Sequence, residues 1–239
     1  TSSSTNPTAS CVSCRRSEGQ SMIRDKSRGG FTLVELLVVI GVIAVLASLS
    51  LAALSKVGAA SDRSKAISNM RQIGAGINLF AADNDGRLPG PLWPGQLAQF
   101  DPARSGRLVR ELAPYLGIPT PTTPKVEPLF VPPAYRKAVS PVFLDSARTY
   151  VVNMSVRDSD KTIIPWGNLA SPPSTQPLKL AAIPPQAWGF SDADGLHPRV
   201  AGTAGAANTP PKPIHSPRRL AWFFNGSVSP VDNTDLALP

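Results

Sequence analysis

The stretch that most limits what this chain can become runs from Phe31 to Leu54, 24 consecutive residues whose single charge is Glu35. As a helix rising ~1.5 Å per residue it measures roughly 36 Å, enough to cross a hydrocarbon layer of about 30 Å. A secretory signal has a shorter apolar region, about 7–15 residues, with a small-residue cleavage site after it. Here the glycine pair Gly29-Gly30 comes before the run. Length predicts a spanning helix, and the order of the parts sets it apart from an ordinary export signal.

The chain is basic, with a formal charge of +8, and the charge is unevenly placed. Arg15, Arg16, Arg24, Lys26 and Arg28 stand against Glu18 and Asp25 in residues 1–30, so three of the eight net charges precede the apolar run. Positive residues flanking a spanning helix stay in the cytoplasm. That places residues 1–30 inside and everything after Leu54 outside. The remaining basic charge is diffuse and reads as solvated surface, with no nucleic-acid partner expected. Cys11-Val12-Ser13-Cys14 has redox or metal spacing, but one C-x-x-C without a second pair is a weak signal. Translation is expected to start at Met22, giving a short basic leader that ends at Gly30. From Phe31 onward the sequence has no cysteine, so no disulfide can staple the exported part, and no metal or other cofactor is expected.

Gly30-Phe31-Thr32-Leu33-Val34-Glu35-Leu36-Leu37 resembles the class III signal of type IV pilins and type II secretion pseudopilins. The resemblance implies a membrane peptidase that cuts between Gly30 and Phe31 and methylates the new Phe31 amine. It also implies that Glu35, the fifth mature residue, pairs with the N-terminal amine of a neighbouring subunit during filament assembly. The chemistry is compatible. A residue without Cβ lets the chain lie extended in a narrow protease groove. Glu35 sits about one turn into the helix, near the positive end of its dipole, and a helix-start acid is the plainer reading of the same residue. An acid inside a spanning run costs up to a few kcal/mol at the bilayer centre, less near the interface, and so calls for a partner.

Beyond Leu54 the pattern stays helical and turns amphipathic. Ile67, Met70, Ile73 (or Gly74), Ile77 and Phe80 recur at three- and four-residue spacing, with polar residues between them. The predicted organisation is a cleaved leader, 1–30; a transmembrane or filament-core helix, 31–54; an amphipathic stalk, 55–82; and a head, 83–239. Gly41, Gly58, Gly74 and Gly76 read as weak, flexible points, each costing ~1 kcal/mol relative to Ala. Ala82-Asp83-Asn84-Asp85-Gly86 supplies turn chemistry, and Pro89 forbids continuation. Asn69–Gly74 and Ala82–Pro89 also resemble the stalk end of pseudopilin-like proteins. Asp83-x-Asp85-Gly86 and Asp192-x-Asp194-Gly195 open like calcium loops. However, their first and twelfth positions (Ala81 and Leu92, Phe190 and Ala201) offer no oxygen side chain, so both are read as turns.

Of the 26 prolines, 25 fall in residues 83–239, which excludes long helices there except a short one near 105–116. Strands are predicted at 149–154, 162–166, 186–190, 220–224 and 227–231. The last two flank Asn225-Gly226 and form a hairpin, 220–231, with an expected two-residue type I′ turn. Segments 117–133, 171–185 and 198–217 read as surface loops or disordered stretches. His215, nine residues, then Asn225-Gly226 resembles the C-terminal H-X9-DG element of prepilin-like proteins with processing-associated domains, with Asn in place of Asp. Thr149–Asn153 is a fainter likeness to the same family. His215 reads as a histidine hydrogen-bonded beside the hairpin, with ligand or catalytic use as the alternative. Asp232-Asn233-Thr234-Asp235 reads as solvated, although some major pseudopilins hold calcium near this position.

The fold class that follows is α+β: a long N-terminal helix packed on a small, loop-rich antiparallel sheet. No nucleophile elbow, H-E-x-x-H or phosphate loop is present, and only two histidines occur, so an enzyme is not expected. The resemblance implies a structural subunit, processed by a prepilin peptidase and assembled with other copies or related pseudopilins by inner-membrane machinery. It would cross the inner membrane once with the head in the periplasm, then join a periplasmic or surface filament of a type II secretion or type IV pilus-like system. The rival reading is a membrane-anchored binding or surface protein that keeps a pilin-like anchor.

Overall fold

The computed structural model describes residues 30–169 and 174–237, with backbone alone for 51–56 and 237. Most of the leader, with Cys11, Cys14 and Met22, lies outside the described residues. Helix α1 spans Leu33–Asp83. From Leu33 to Ser50 it is long and apolar enough to cross a membrane, and its side chains there are exposed.

From Ala66 onward the same helix follows a different rule. Ala66, Met70, Ile73, Ile77 and Ala81 are buried, a four-three-four-four spacing that gives one apolar stripe. Ile67 and Phe80, predicted on that stripe, flank it and are half-buried. The helix ends where turn chemistry was expected. Asn84 Nδ2 donates to the Phe80 carbonyl at 2.7 Å, and Gly86 N–H donates to the Ala81 carbonyl at 2.8 Å. Asp85 (φ 55°) and Gly86 (φ 75°) are both left-handed, which reverses the chain, and Asp85 pairs with Lys179 at 2.8 Å.

The head continues through β1 (Gly95–Leu97), β2 (Gln99–Phe100), α2 (Leu108–Leu112), β3 (Lys125–Val126), α3 (Pro133–Ala138), β4 (Arg148–Val152), β5 (Val156–Asp158) and β6 (Lys161–Ile163). It closes with β7 (Trp188–Asp192), β8 (Arg219–Phe223), β9 (Val228–Val231) and α4 (Asn233–Ala237). Five strands form one antiparallel sheet in the order β1-β4-β7-β8-β9, while β2-β3 and β5-β6 are separate ribbons. The α+β architecture is as the sequence predicts. Strand β7 is buried at every position, as a central strand covered on both faces must be. Along β8 the alternation sorts the two faces. Leu220 and Trp222 join the core that contains Met70, Ile73 and Ile77. Ala221 faces the opposite way, packing with Trp188, Val231 and Leu236 of α4.

Several expectations are corrected. The helix expected near 105–116 is α2 followed by a 3₁₀ turn at Ala113–Leu116, where Pro114 ends regular α geometry. Gly74 and Gly76 are close-packing positions, not flexible points. A Cβ on Gly74 would stand 2.1 Å from Trp222 Nε1, and one on Gly76 would stand 2.9 Å from Leu116. Segments read as surface loops contain buried Phe130, Val131 and Val200.

The hairpin turn also differs from the one predicted. Gly226 N–H donates to the Phe223 carbonyl at 2.8 Å, Phe223 N–H donates to Ser227, and Gly226 (φ 85°) is left-handed while Asn225 is not. This is a three-residue loop, a type I turn closed by a glycine bulge, in place of a two-residue type I′ turn. Phe224 explains the choice. It is buried against Trp166 and Trp222, so it must leave the strand plane where the turn begins.

Both edges of the main sheet are blunted. Pro230 in β9 has no N–H to offer. At β1 the 104–108 loop is strapped alongside: Trp93 N–H donates to Gly106 O at 3.0 Å, and Gln96 accepts from Leu108 N–H at 2.5 Å while donating to the Trp93 carbonyl.

Candidate functional site

The signal residues form a self-contained helix start. Thr32 occupies the N-cap of α1: its hydroxyl accepts from Glu35 N–H at 3.2 Å. In return Glu35 Oε2 accepts from Thr32 N–H at 2.8 Å and from Thr32 Oγ1 at 2.9 Å. This reciprocal arrangement is a capping box, and Glu35 is its third helical residue. The helix-start reading of Glu35 therefore has a specific geometry in the single chain. Phe31 is 84% exposed. A Cβ added to Gly30 would meet nothing within 4 Å, so the fold itself asks for no glycine there. Gly30, Phe31 and Glu35 thus lie within six residues on one exposed segment.

The C-terminal pair is not brought together. His215 precedes β8 and Asn225-Gly226 follows it, so a five-residue strand, roughly 16 Å long, stands between them. Asn225 serves the hairpin: its Oδ1 accepts from Ser227 N–H at 2.9 Å, and its own N–H donates to Pro185 O at 2.8 Å. An aspartate could accept the Ser227 bond equally well.

His215 points into a buried polar cluster rather than toward the turn. Its Nε2 stands 3.8 Å from Asp192 Oδ2, beyond hydrogen-bond reach, which corrects the expected hydrogen-bonded histidine. Asp192 Oδ2 instead accepts from Leu220 N–H at 3.1 Å. Asp192 Oδ1, His215 Nε2 and Tyr150 Oη are all buried without a hydrogen-bond partner. Burial drives both ionisable groups toward neutrality. It pushes the Asp192 pKa up to about 7, opposed by the Leu220 N–H and reinforced by Asp194. It pushes His215 down, with Arg63 adding to the effect and Asp62 opposing it.

Next to this pair, Arg219 grips Asp194 with two nitrogens, Nη2 reaching Oδ1 at 2.8 Å, and also donates to Asn233 Oδ1. Asp194 Oδ1 accepts from Leu196 N–H at 2.8 Å as well. His197 links Ser191 Oγ at 3.0 Å through Nε2 and accepts Arg199 N–H at 3.0 Å through Nδ1. With Nδ1 accepting, the neutral ring carries its proton on Nε2 and donates to Ser191. That is the wrong tautomer to deprotonate a serine. Burial lowers the His197 pKa to about 4, keeping the ring neutral.

Sequence reading placed Asp192 in a turn. It is the last residue of β7, and only Asp194 lies in the turn proper. The usable signal was an Asp-x-Asp at the end of one apolar strand and an arginine opening another. Asp232–Asp235 is exposed, as expected, and it also starts α4: Asp235 Oδ2 accepts from Asp232 N–H at 2.8 Å. Among the described residues, no group of three or more His, Cys, Asp or Glu could hold a metal ion.

Residues 25–51 match the family model described as the prokaryotic N-terminal methylation motif. The chain carries a prepilin-like class III signal, the mark of a type IV pilin-like substrate of prepilin peptidase. No curated protein and no solved structure matches the chain.

Proposed function

We propose that this protein is a pseudopilin-like structural subunit, cut between Gly30 and Phe31, methylated on the Phe31 amine, and assembled into a type II secretion or type IV pilus-like filament. The observation that carries the reading is the coincidence of three things at one place. These are the methylation motif, an exposed Gly30-Phe31 link whose glycine the fold does not need, and an apolar helix beginning two residues later. The apolar segment holds the precursor in the inner membrane with the basic leader in the cytoplasm and the head in the periplasm, then packs against other copies or related pseudopilins. Glu35 supplies the charge that draws a neighbour's N-terminal amine into register. Its second carboxylate oxygen has no bond within the capping box. His215 and Asn225-Gly226 are the two ends of an H-X9-DG-like element whose asparagine keeps the turn.

Mass spectrometry of the protein from its native host tests the cut. The expected mature N-terminus is N-methylated Phe31, and Gly30→Leu should leave an uncut precursor of higher mass. Protein that still begins upstream of Phe31 overturns the assignment. Shearing of intact cells tests assembly: subunits of a filament leave with fibres, whereas a protein that merely keeps the anchor stays in the membrane.

A further inference from the structure

Away from the polar cluster and from the helix start, a second feature stands out in the head. A groove of about 1110 Å³ runs along β1 and the loops facing it, lined by Arg104, Arg107, Arg148 and Arg199 against Asp101 and Asp145. Arg104 is taken up by Asp101 at 3.2 Å. The other three arginines make no ion pair among the described residues. Arg107 is 7% exposed and reaches only Gln99, at 3.4 and 3.5 Å. Only its Nη1 makes these bonds, and no Arg107 nitrogen is both buried and unpartnered, so the remaining guanidinium nitrogens open onto the groove. Arg148 is laid flat into the wall by two glycines: a Cβ on Gly205 would stand 2.0 Å from its Cζ, and one on Gly95 would stand 2.6 Å from its Cδ. Its Nη1 is anchored to Thr203 Oγ1 at 3.1 Å.

Three further observations narrow the ligand. The volume lies above the range of about 300–1,000 Å³ usual for a compact small molecule, so an extended ligand fits better than a single small anion. Trp93 lines the groove with an indole 45% exposed, offering an apolar face to a flat ring. Asp145, also on the wall, makes no ion pair among the described residues and can accept from hydroxyl groups. A peptide adding to the sheet would need the free edge of β1, which the 104–108 loop already straps.

We propose that this groove binds an anionic oligosaccharide bearing uronic acid groups, with Arg107, Arg148 and Arg199 receiving carboxylates, Trp93 stacking on a sugar ring, and Asp145 accepting hydroxyls. The site belongs to the folded head and does not depend on cleavage or assembly.

Calorimetric titration of the full chain in detergent micelles with a galacturonate trisaccharide tests it. Saturable binding is expected, weakening about tenfold on Arg199→Gln and on Trp93→Ala. It should also weaken on moving from low to high salt, and on replacing the uronate with the uncharged galactose trisaccharide. Arg199 is half-buried and makes no side-chain bond among the described residues, so its variant should keep the parent's thermal midpoint. Absence of uronate binding by the folded parent overturns the proposal, as does binding that Arg199→Gln and Trp93→Ala leave unchanged. Equal or tighter binding of a polyglutamate peptide or a thymidylate strand overturns it in favour of a peptide or nucleic-acid groove.

Discussion

Trp222 lies on Gly74 so closely that a single added carbon would stand 2.1 Å from the indole nitrogen. Strand β8 can approach α1 at that point only because the helix offers no side chain, which turns a poor helix former into the seat of the core's largest ring stack. Trp222 stacks on Phe190 at 5.4 Å and meets Phe224 edge-on at 5.5 Å.

A pair of identical substitutions in one helix should therefore have opposite signs. Gly74→Ala forces the indole away and should destabilise the head by about 1–3 kcal/mol. Gly58→Ala meets nothing within 4 Å and should stabilise the helix by up to ~1 kcal/mol through propensity alone. Thermal melts of the two variants, monitored by tryptophan fluorescence, check both. A neutral Gly74→Ala would show that the contact is looser than it stands here.

Glu35 combines a capping role with a charge, and two variants separate them. Glu35→Gln keeps the capping box, since glutamine reaches back to the Thr32 N–H as glutamate does, but removes the charge. It should be cut at Gly30 normally and fail to enter filaments. Thr32→Ala removes the hydroxyl and keeps the charge, and should still assemble. Immunoblots of sheared fractions read the outcome; filaments built normally from Glu35→Gln would sink the charge-pairing role.

At the hairpin, Gly226 occupies the left-handed position and Asn225 the acceptor position. Gly226→Ala should cost roughly 1–2 kcal/mol, the left-handed penalty for a residue with Cβ. Asn225→Asp should stay within about 0.5 kcal/mol of the parent, because the carboxylate also accepts from Ser227 N–H. Chemical denaturation measures both.

Asp192 makes stability depend on pH in a direction that can be worked out. Its folded pKa, about 7, lies above the ordinary 3.8, so its contribution is full below about pH 4 and is lost as pH rises through 7. His197, lowered to about 4, acts oppositely: its contribution is full above about 6.5 and is lost as pH falls through 4. The two offset each other between these limits, leaving Asp192 alone to weaken the fold near neutrality. Asp192→Asn retains an acceptor for Leu220 N–H without the buried charge. At pH 8 it should be more stable than the parent by about 1–3 kcal/mol, with the gap narrowing as pH falls and closing below about pH 4. A gap that does not change with pH would mean Asp192 is already neutral, or already charged, across the range.

Reading residues in order recovers the features that are local. The apolar run, the amphipathic stripe beyond it, the stop at Asp83 and strands β4, β7, β8 and β9 all announce themselves by period or by turn chemistry. What escapes such reading depends on residues far apart in the chain. Strands of two or three residues such as β2 and β3 carry too little pattern to stand out among prolines. The packing duty of Gly74 depends on a tryptophan 148 positions later. The type I turn was chosen by the burial of Phe224, which dipeptide preference does not see. Arg219 and Asp194, likewise, meet only because β7 and β8 are neighbours.

The guarded sheet borders bear on how such heads tolerate crowding. The proposed filament would bring many copies of one domain to very high local concentration, the condition under which bare strands zip together between molecules. Pro230 withholds a donor on one flank of the five-stranded sheet, and the loop held by the Trp93–Gly106 bond lies alongside the other. In the proposed filament, heads guarded this way would resist merging into a shared sheet when crowded, leaving lateral order to contacts between the apolar helices.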